Sequence, residues 1–443
     1  MIIPSRLLLR RLRQRRRSII ALLLFFFTID VILLLRHRPI TSRTTLPSLK
    51  RHGLRSSGSS SSTDLHGPGA AGNETFFIVS VHRNTGAILP GWGTAVLALV
   101  DYLGPANVYF SALESGSQDD TKDKLTALKA QLDARRVPNT VTLGQTVWEQ
   151  LDDMWARPAP DAPRQEGWIW NQEDKVYDKR RITYLARERN RAMEPMRELE
   201  EKQGVTFDKV LWINDVIFDV DDFVTLHNTR GGAYAAACSM DYKHPPAYYD
   251  TFALRDGEGR KTASNYWPWF QAGPARDAAS RSEPVRVASC WNGMVIFDAG
   301  PFRADPPLRF RAIPDALADL HLEGSECCLI HADNPLSAET GSGGGVWLNP
   351  NVRVGYSDPA YEAVRAVDGE KFPGAWATVV GAWAHRWLAW RAGLSHHVES
   401  ATVTKRLRQW VADAPEGEPR REPGVSCLIN EKQIMWMNGW RHL

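Results

Sequence analysis

Cysteine is scarce: five in 443 residues, at Cys238, Cys290, Cys327, Cys328 and Cys427. No two form a Cys-x-x-Cys pair and none stands at zinc-site spacing from a histidine, so a structural metal is not indicated. Tryptophan is absent before Trp92, although the chain holds 17. The packed part of the protein therefore lies beyond that point. Acids are nearly missing from residues 1–55, where thirteen Lys and Arg face Asp30 alone. A basic excess is missing from the remainder, where 41 Lys and Arg face 50 Asp and Glu. The formal charge of +3 is thus +12 joined to −9, and an acidic body argues against a nucleic-acid binder. No internal repeat is present. A hydrophobic content of 43% excludes wholesale disorder, and the length allows one large domain or two ordinary ones.

What is there begins with an anchor. Seven Arg crowd residues 6–17, an Arg-rich tail, and Ser18 to Leu35 then runs with one charge, Asp30. As a helix at about 1.5 Å per residue the run reaches roughly 27 Å, close to the hydrocarbon thickness. The positive-inside rule keeps the Arg cluster cytosolic and sends the C-terminus into the lumen of the Golgi or ER, a single-pass type II arrangement. A mid-membrane Asp costs about 2.5–3.5 kcal/mol, less near an interface, and Asp30 lies close to the end of the run. A cleaved signal peptide needs small residues at its cleavage site, which Leu33-Leu34-Leu35-Arg36 does not offer, and a mitochondrial presequence lacks such an apolar run. Residues 36–72, rich in Ser, Thr, Gly and Arg, are predicted to be a flexible stem. Asn73-Glu74-Thr75 follows as a glycosylation sequon on the predicted lumenal side. All five cysteines are then lumenal, where disulfides are permitted. Cys327 and Cys328 are expected on opposite faces of a strand. The odd count leaves one thiol free or intermolecular, and the connectivity stays open.

The body alternates strand and helix. Phe76–Val81, Asn107–Leu113 and Thr140–Leu143 read as strands, with helices over Trp92–Leu103 and Asp119–Arg136 between them. This β-α-β-α-β pattern predicts an α/β fold with a mostly parallel sheet flanked by helices. Residues 150–180 read as an irregular loop, Ile182–Glu201 as a charged helix, and Val210–Ile213, Ala233–Met240 and Met294–Phe297 as further strands. The catalytic unit is placed at 73–357 and a Trp-rich helical extension at 358–443. The spacing of Trp383, Trp387 and Trp390 is helical and predicts core packing.

Ligands of open α/β sheets bind outside the carboxyl ends of strands, and four polar clusters fall there. Glu114-Ser115-Gly116-Ser117-Gln118-Asp119-Asp120-Thr121 resembles the acidic turn by which nucleotide-sugar transferases seat a nucleoside. It equally suits a helix start, with Ser117 as N-cap. Asn214-Asp215 follows an apolar strand, and Asp215 is the expected ligand of a hard divalent cation, Mn2+ or Mg2+. Asp221 and Asp222 read as a solvated turn. Arg181, Arg187, Arg189 and Asn190 offer charge and hydrogen bonds to a diphosphate, or form an exposed helix paired with its own acids. Asp241, the Trp291-Asn292-Gly293 turn and Glu326 supply acids and a polar turn for a reacting sugar. His331 reads as structural or as a further metal ligand.

As an ordered set, Glu114–Thr121, Arg181–Asn190, Trp212–Val216, Ser239–Tyr242, Cys290–Gly293, Ser325–Cys328 and Asn349–Tyr356 resemble the fungal capsule-associated α-1,3-mannosyltransferases, glycosyltransferase family 69. The resemblance covers residues 75–357. It implies a GT-A-like fold and lumenal transfer of mannose from GDP-mannose to a glycan acceptor. It further implies use of manganese, and retention of configuration in an α-1,3 link. On these terms Glu114, Ser115, Gly116, Ser117, Asp119, Arg181, Arg189, Asn190, Asn214, Asn292 and Gly293 bind donor, Asp215 binds metal, and Asp241 and Glu326 stand at the reacting sugars. Where many members read Asn-Leu, this chain reads His82-Arg83-Asn84. Two other readings stay open: a glycoside hydrolase using Asp241 and Glu326, and a non-catalytic glycan-binding subunit with Trp267, Trp269 and Trp291 as sugar platforms.

Overall fold

A computed structural model describes residues 5–44, 74–339, 341, 343–437 and 439–443. Asn73 and the stem from residue 45 onward lie outside the described residues. The body is built on a ten-stranded mixed sheet. Its order is Asn139–Leu143, Val108–Glu114, Phe76–His82, Lys209–Ile213, Met294–Asp298, Ala236–His244, Val346–Gly355, Val285–Ser289 and Arg255–Asp256, with Ala247–Tyr248 paired beside Ala236–His244. The first four strands are parallel. Met294–Asp298 runs against both its neighbours, and Val346–Gly355 is parallel to Ala236–His244. The carboxyl ends of Phe76–His82, Val108–Glu114, Lys209–Ile213, Ala236–His244 and Val346–Gly355 therefore share one edge, and the turn entering Met294–Asp298 opens at that same edge.

Burial on both faces explains the continuous apolar runs. Phe76 and Ile78 pack with Trp92, Val96 and Val100 of helix Leu89–Leu103. The alternating Phe77 and Val79 face the other way, into a cluster with Ala186, Ala192 and Met196 of helix Arg181–Gln203. The predicted sheet flanked by helices is thus the one that forms.

Four local expectations change. Residues 150–180 are not irregular throughout. Helix Val147–Trp155 starts on a capping box between Thr146 and Glu149, and Trp168–Asn171 pairs antiparallel with Val176–Lys179. Glu326–Asp333 is a helix capped by Ser325, not a strand, so Cys327 and Cys328 diverge by helical rotation. Cys328 bonds Cys427, Cys238 bonds Cys290, and Cys327 stays a buried free thiol. Trp387 and Trp390 lie on helix Ala375–Ala412 as the spacing requires, yet each is 75% exposed. Asp222 is buried within helix Val220–His227, not solvated.

The Cys328–Cys427 bond spans 99 residues and ties the C-terminal extension to the body. Closing a loop that long removes much freedom from the unfolded chain, so Cys427→Ser should cost about 2–5 kcal/mol, measured as a lower urea midpoint with a steeper slope, because the released unfolded chain exposes more surface.

The stem predicted from residue 36 does not begin there. Thr41 N donates to Glu370 O at 2.8 Å, Ile40 bridges Lys371, and the buried Arg43 guanidinium pairs with Asp219 and, at 3.3 Å, with Asp222. Burial, and then the neighbouring Asp219 charge, pushes Asp222 up to about 7 against the pull of Arg43 and a 2.6 Å hydrogen bond from the Tyr361 hydroxyl. The folded protein thus keeps this proton up to about pH 7, whereas an unfolded chain releases it near pH 4, so the contribution to stability falls as pH rises between those values. Asp222→Asn should therefore gain melting temperature relative to wild type between pH 5 and pH 8. An unchanged difference across that range would refute the assignment.

Candidate active site

Asn214 is fixed as soon as strand Lys209–Ile213 ends. Its N–H donates to Gly293 O at 2.9 Å, its side-chain oxygen accepts from Trp291 Nε1 at 3.1 Å, and its carbonyl accepts from Trp92 Nε1 at 2.9 Å. With the backbone held on three sides, Asp215 projects from the shared edge. It is half-buried. Burial pushes its carboxyl up to about 6, against its own backbone N–H and the Lys243 ammonium.

Asp241 sits beside Val354 in the parallel pair, and the Trp291-Asn292-Gly293 turn folds over it. Gly293 has φ +91°, and a Cβ there would meet Val354 Cγ2 at 2.4 Å and Asp241 Cβ at 3.2 Å, so only glycine brings this turn so close. Asp241 Oδ1 accepts from Asn292 Nδ2 at 2.9 Å and from Asp250 N at 3.1 Å, and Oδ2 accepts from the Tyr356 hydroxyl at 3.0 Å. Asn292 Nδ2 also reaches Asp250 O at 2.9 Å, while its Oδ1 is buried without a partner. Burial, then the Asp250 charge, pushes Asp241 up to about 7, and burial raises Asp250 as well. The Tyr356 phenol is pushed well up by burial and by Asp241, Asp215 and Asp250, in that order. One hydroxyl thus feels all three carboxylates.

Glu326 opens its helix and is 2% exposed. Its Oε1 accepts from Arg189 Nε at 3.0 Å. The Arg189 guanidinium lies 4.5 Å from the Trp291 ring centre and 5.3 Å from that of Trp212. Asp250 feels both Glu326 and Arg189, which joins this pair to the acid cluster.

A second group forms at the ends of Phe76–His82 and Val108–Glu114. Glu114 is buried. It accepts from Ser117 N, and the Lys122 ammonium lies 3.4 Å away. Ser115 Oγ lies 2.6 Å from the Tyr184 hydroxyl and donates to Glu188 at 3.3 Å. Gly116, at φ +71°, leaves room for Gln150, whose Oε1 would lie 2.8 Å from a Cβ there and is itself buried and unpartnered. Ser117 is no helix cap; its hydroxyl accepts from Asn84 N at 3.0 Å, and the helix starts at Thr121. Asp119 accepts from Gly86 N at 2.8 Å and from the Thr121 hydroxyl at 2.5 Å. Burial opposes ionisation of Asp119, but these donors win and lower its pKa. Arg83 leaves the first strand on the side of Tyr184, with Nε and Nη2 buried and unpartnered. Those two N–H groups form one edge of the guanidinium, the fork that takes a pair of acceptors.

Three predicted residues stand elsewhere. Arg181 donates to Gln433 at 2.7 Å and stacks 4.4 Å from the Trp440 ring centre, bound by the C-terminal hairpin. Asn190 exchanges two hydrogen bonds with the Phe310 backbone, at 2.8 and 3.0 Å. His331 meets Cys290 O at 2.7 Å and stacks on Phe297 at 5.2 Å, with burial lowering its pKa to about 4. The Cys238 and Cys290 sulfurs lie within 4.8 Å of a His331 ring nitrogen, but both are spent in a disulfide. Sequence reading missed Asp250, Lys243, Tyr184 and Arg83 as site residues and gave Tyr356 no role.

Residues 75–333 match the family described as Cryptococcal mannosyltransferase 1. The chain belongs to that family. Glu114, Arg189, Asp215, Asp241, Asn292 and Glu326 fall inside the matched span, and Tyr356 lies beyond it. Over 313 residues this family member is 26% identical to alpha-1,3-mannosyltransferase CMT1 of Cryptococcus neoformans var. neoformans serotype D (strain JEC21 / ATCC MYA-565), covering 67% of its own length and 61% of the relative's. Among solved structures, mannosyltransferase PcManGT from Pyrobaculum calidifontis, in complex with GDP-Man and Mn2+, overlays at TM-score 0.34 with 10% identity, covering 79% of this chain and 78% of the other. GalNAc-T7 with UDP, GalNAc and Mn2+ overlays at 0.35 with 12% identity, covering 76% and 54%. Overlaps this loose carry no argument about the site.

Proposed function

We propose that this Cryptococcal mannosyltransferase 1 family member transfers mannose from GDP-mannose to a glycan acceptor, in an α-1,3 link with retention. It would act in the lumen of the Golgi or ER, with Mn2+ or Mg2+. The observation that carries the reading is the carboxyl-edge cluster in which the Trp291-Asn292-Gly293 turn joins Asp241 and Asp250 by hydrogen bonds and holds Asn214, next to Asp215, against its backbone. Carboxylates raised by burial at a half-open position fit a hard divalent ion, whose field would return them to the ionised state. Asp215, half-buried just past the end of its strand, would hold it. When bound, the metal supplies charge against the donor's diphosphate.

The chain's own groups do the rest. Asn292 and Tyr356 fix both oxygens of Asp241, so that carboxyl is oriented before any sugar arrives. Arg189, packed against the neighbouring indoles of Trp291 and Trp212, keeps its charge beside Glu326 and positions it. Commitment of Glu326 to Arg189, and of Asp241 to three donors, supports transfer over hydrolysis, which needs a carboxyl free to protonate a leaving group. The test is GDP release from GDP-mannose by detergent-solubilised full chain, with and without Mn2+, against UDP-sugars. No GDP release with any glycan acceptor would sink the reading, as would metal-independent glycan cleavage.

The Glu114–Ser117 turn, Tyr184 and the Arg83 fork would seat the nucleoside. Guanine offers two adjacent acceptors, O6 and N7, and a bidentate Arg contact to them is worth about 1–3 kcal/mol. Arg83→Ala should weaken GDP by that amount in calorimetric titration and leave UDP binding unchanged. Equal losses for both would place the fork on the diphosphate instead.

A further inference from the structure

Helix Ala375–Ala412 has two unlike faces along its first half. Thr378, Gly381, Ala382 and His385 are buried against the body. Gly381 leaves no room for a side chain, since a Cβ would lie 2.3 Å from Trp267 O, and His385 Nε2 meets Phe270 O at 2.9 Å. The opposite face carries Trp376, Val380, Trp383, Trp387, Trp390, Leu394 and Val398, at steps of three and four that make one stripe. Trp376 is 79% exposed, Trp387 and Trp390 75% each, and Val398 62%. From Trp376 to Val398 the stripe runs about 33 Å. Farther along, Val403 and Trp410 turn back into a core cluster with Leu317 and Cys427. The exposure thus belongs to one segment of the helix. Contiguous apolar surface on this scale marks a partner or a membrane.

Its neighbour says which. The helix packs on the N-terminal apolar helix, whose span Arg16–Arg36 is long and apolar enough to cross a bilayer. Trp383 lies 5.2 Å from Phe27, centre to centre. Arg386 donates to both oxygens of Asp30, at 2.7 Å each. The one acid in the apolar span is therefore met by a cation from the C-terminal helix. Asp30 is six residues before Arg36, about 9 Å along the helix. Amphipathic helices lying in the interface sink roughly 5–10 Å, with Trp at that level. The depth of the ion pair and the chemistry of the stripe agree.

We infer that residues 376–398 form a second membrane element, lying in the bilayer interface beside the anchor with the tryptophan stripe among the lipids. The inference rests on Ser18–Leu35 spanning the membrane. It gives the C-terminal extension a role apart from the active site: it holds the body against the surface. It also explains why the Asp30 charge is tolerated.

The test uses the full chain in phosphatidylcholine nanodiscs at one copy per disc, with and without lipid brominated near the top of the acyl chains. Tryptophan emission of wild type is compared with that of W376F/W387F/W390F, a variant that keeps the stripe apolar and the fold intact. The difference between the two is the emission of those three residues. Loss of that difference emission in brominated discs is the expected result. Difference emission as strong in brominated as in plain lipid would overturn the inference while leaving the anchor standing. Quenching present at one copy per disc but lost at two would assign the stripe to a second copy instead. A chain released from vesicles by carbonate would remove the anchor and this inference together.

Discussion

Asp215→Ala is expected to abolish metal-dependent transfer. A divalent ion at a diphosphate is worth several kcal/mol in the transition state, and each 1.36 kcal/mol is tenfold in rate. A loss of at least two orders of magnitude in kcat/KM follows, with the remaining rate insensitive to Mn2+. The fold should survive, because Asp215 is half-buried and, among the described residues, it is Asn214 that carries the hydrogen bonds to Trp291 and Gly293. Full activity at limiting manganese would move the metal to Asp241 and Asp250. In that event Asp241→Asn, which keeps the Asn292 and Tyr356 geometry but loses the charge, becomes the deciding variant.

Arg189→Met should be the most destabilising single change in the site. Among the described residues, Arg189 is the one cation paired with the buried Glu326 carboxylate. Removing one member of such a buried pair typically costs about 3–5 kcal/mol, because the other charge is left uncompensated. The signature is recovery: Arg189→Met combined with Glu326→Gln should regain much of the loss, since the stranded charge is gone. Denaturant melts of the two singles and the double measure it. If the double is no better than Arg189→Met alone, packing of the guanidinium on Trp212 and Trp291 carries the stability, and the ion pair does not.

The parts of the site legible in the sequence were those tied to strand ends. Apolar runs set the sheet, and a polar residue directly after one must lie at its edge. Glu114, Asn214, Asp215 and Asp241 are of this kind, and the structure sets them along one edge. Helix Arg181–Gln203 shows where that logic stops. Arg181 and Arg189 look alike in sequence. Rotation of the helix and the late C-terminal hairpin decide that Arg189 enters the acid cluster and Arg181 binds Gln433. Asp250 lies in a loop with no periodicity, and reaches Asp241 through a backbone N–H that no pattern announces. Arg83 was visible only as a departure from the family's usual residues. Its significance lies in two N–H groups without partners, which is a property of coordinates. The tryptophans of the C-terminal helix carry a parallel lesson: spacing shows that they share a face, but not what that face meets.

Both borders of the segment 45–73 rest on one short helix. Thr44 N donates to Thr225 Oγ1 at 3.2 Å, and Glu74 meets His227 Nε2 at 2.7 Å. The chain therefore departs from and returns to nearly the same spot on the body, after residues 37–44 have already docked. In a tethered enzyme the spacer sets the working radius. With Thr44 and Glu74 both bound to helix Val220–His227, the spacing between the proposed anchor and the active edge does not depend on the number of residues between them. With Ser18–Leu35 in a bilayer as proposed, that distance would be set by residues 37–44 docked on the body, and the reach of the active edge would be a rigid-body property.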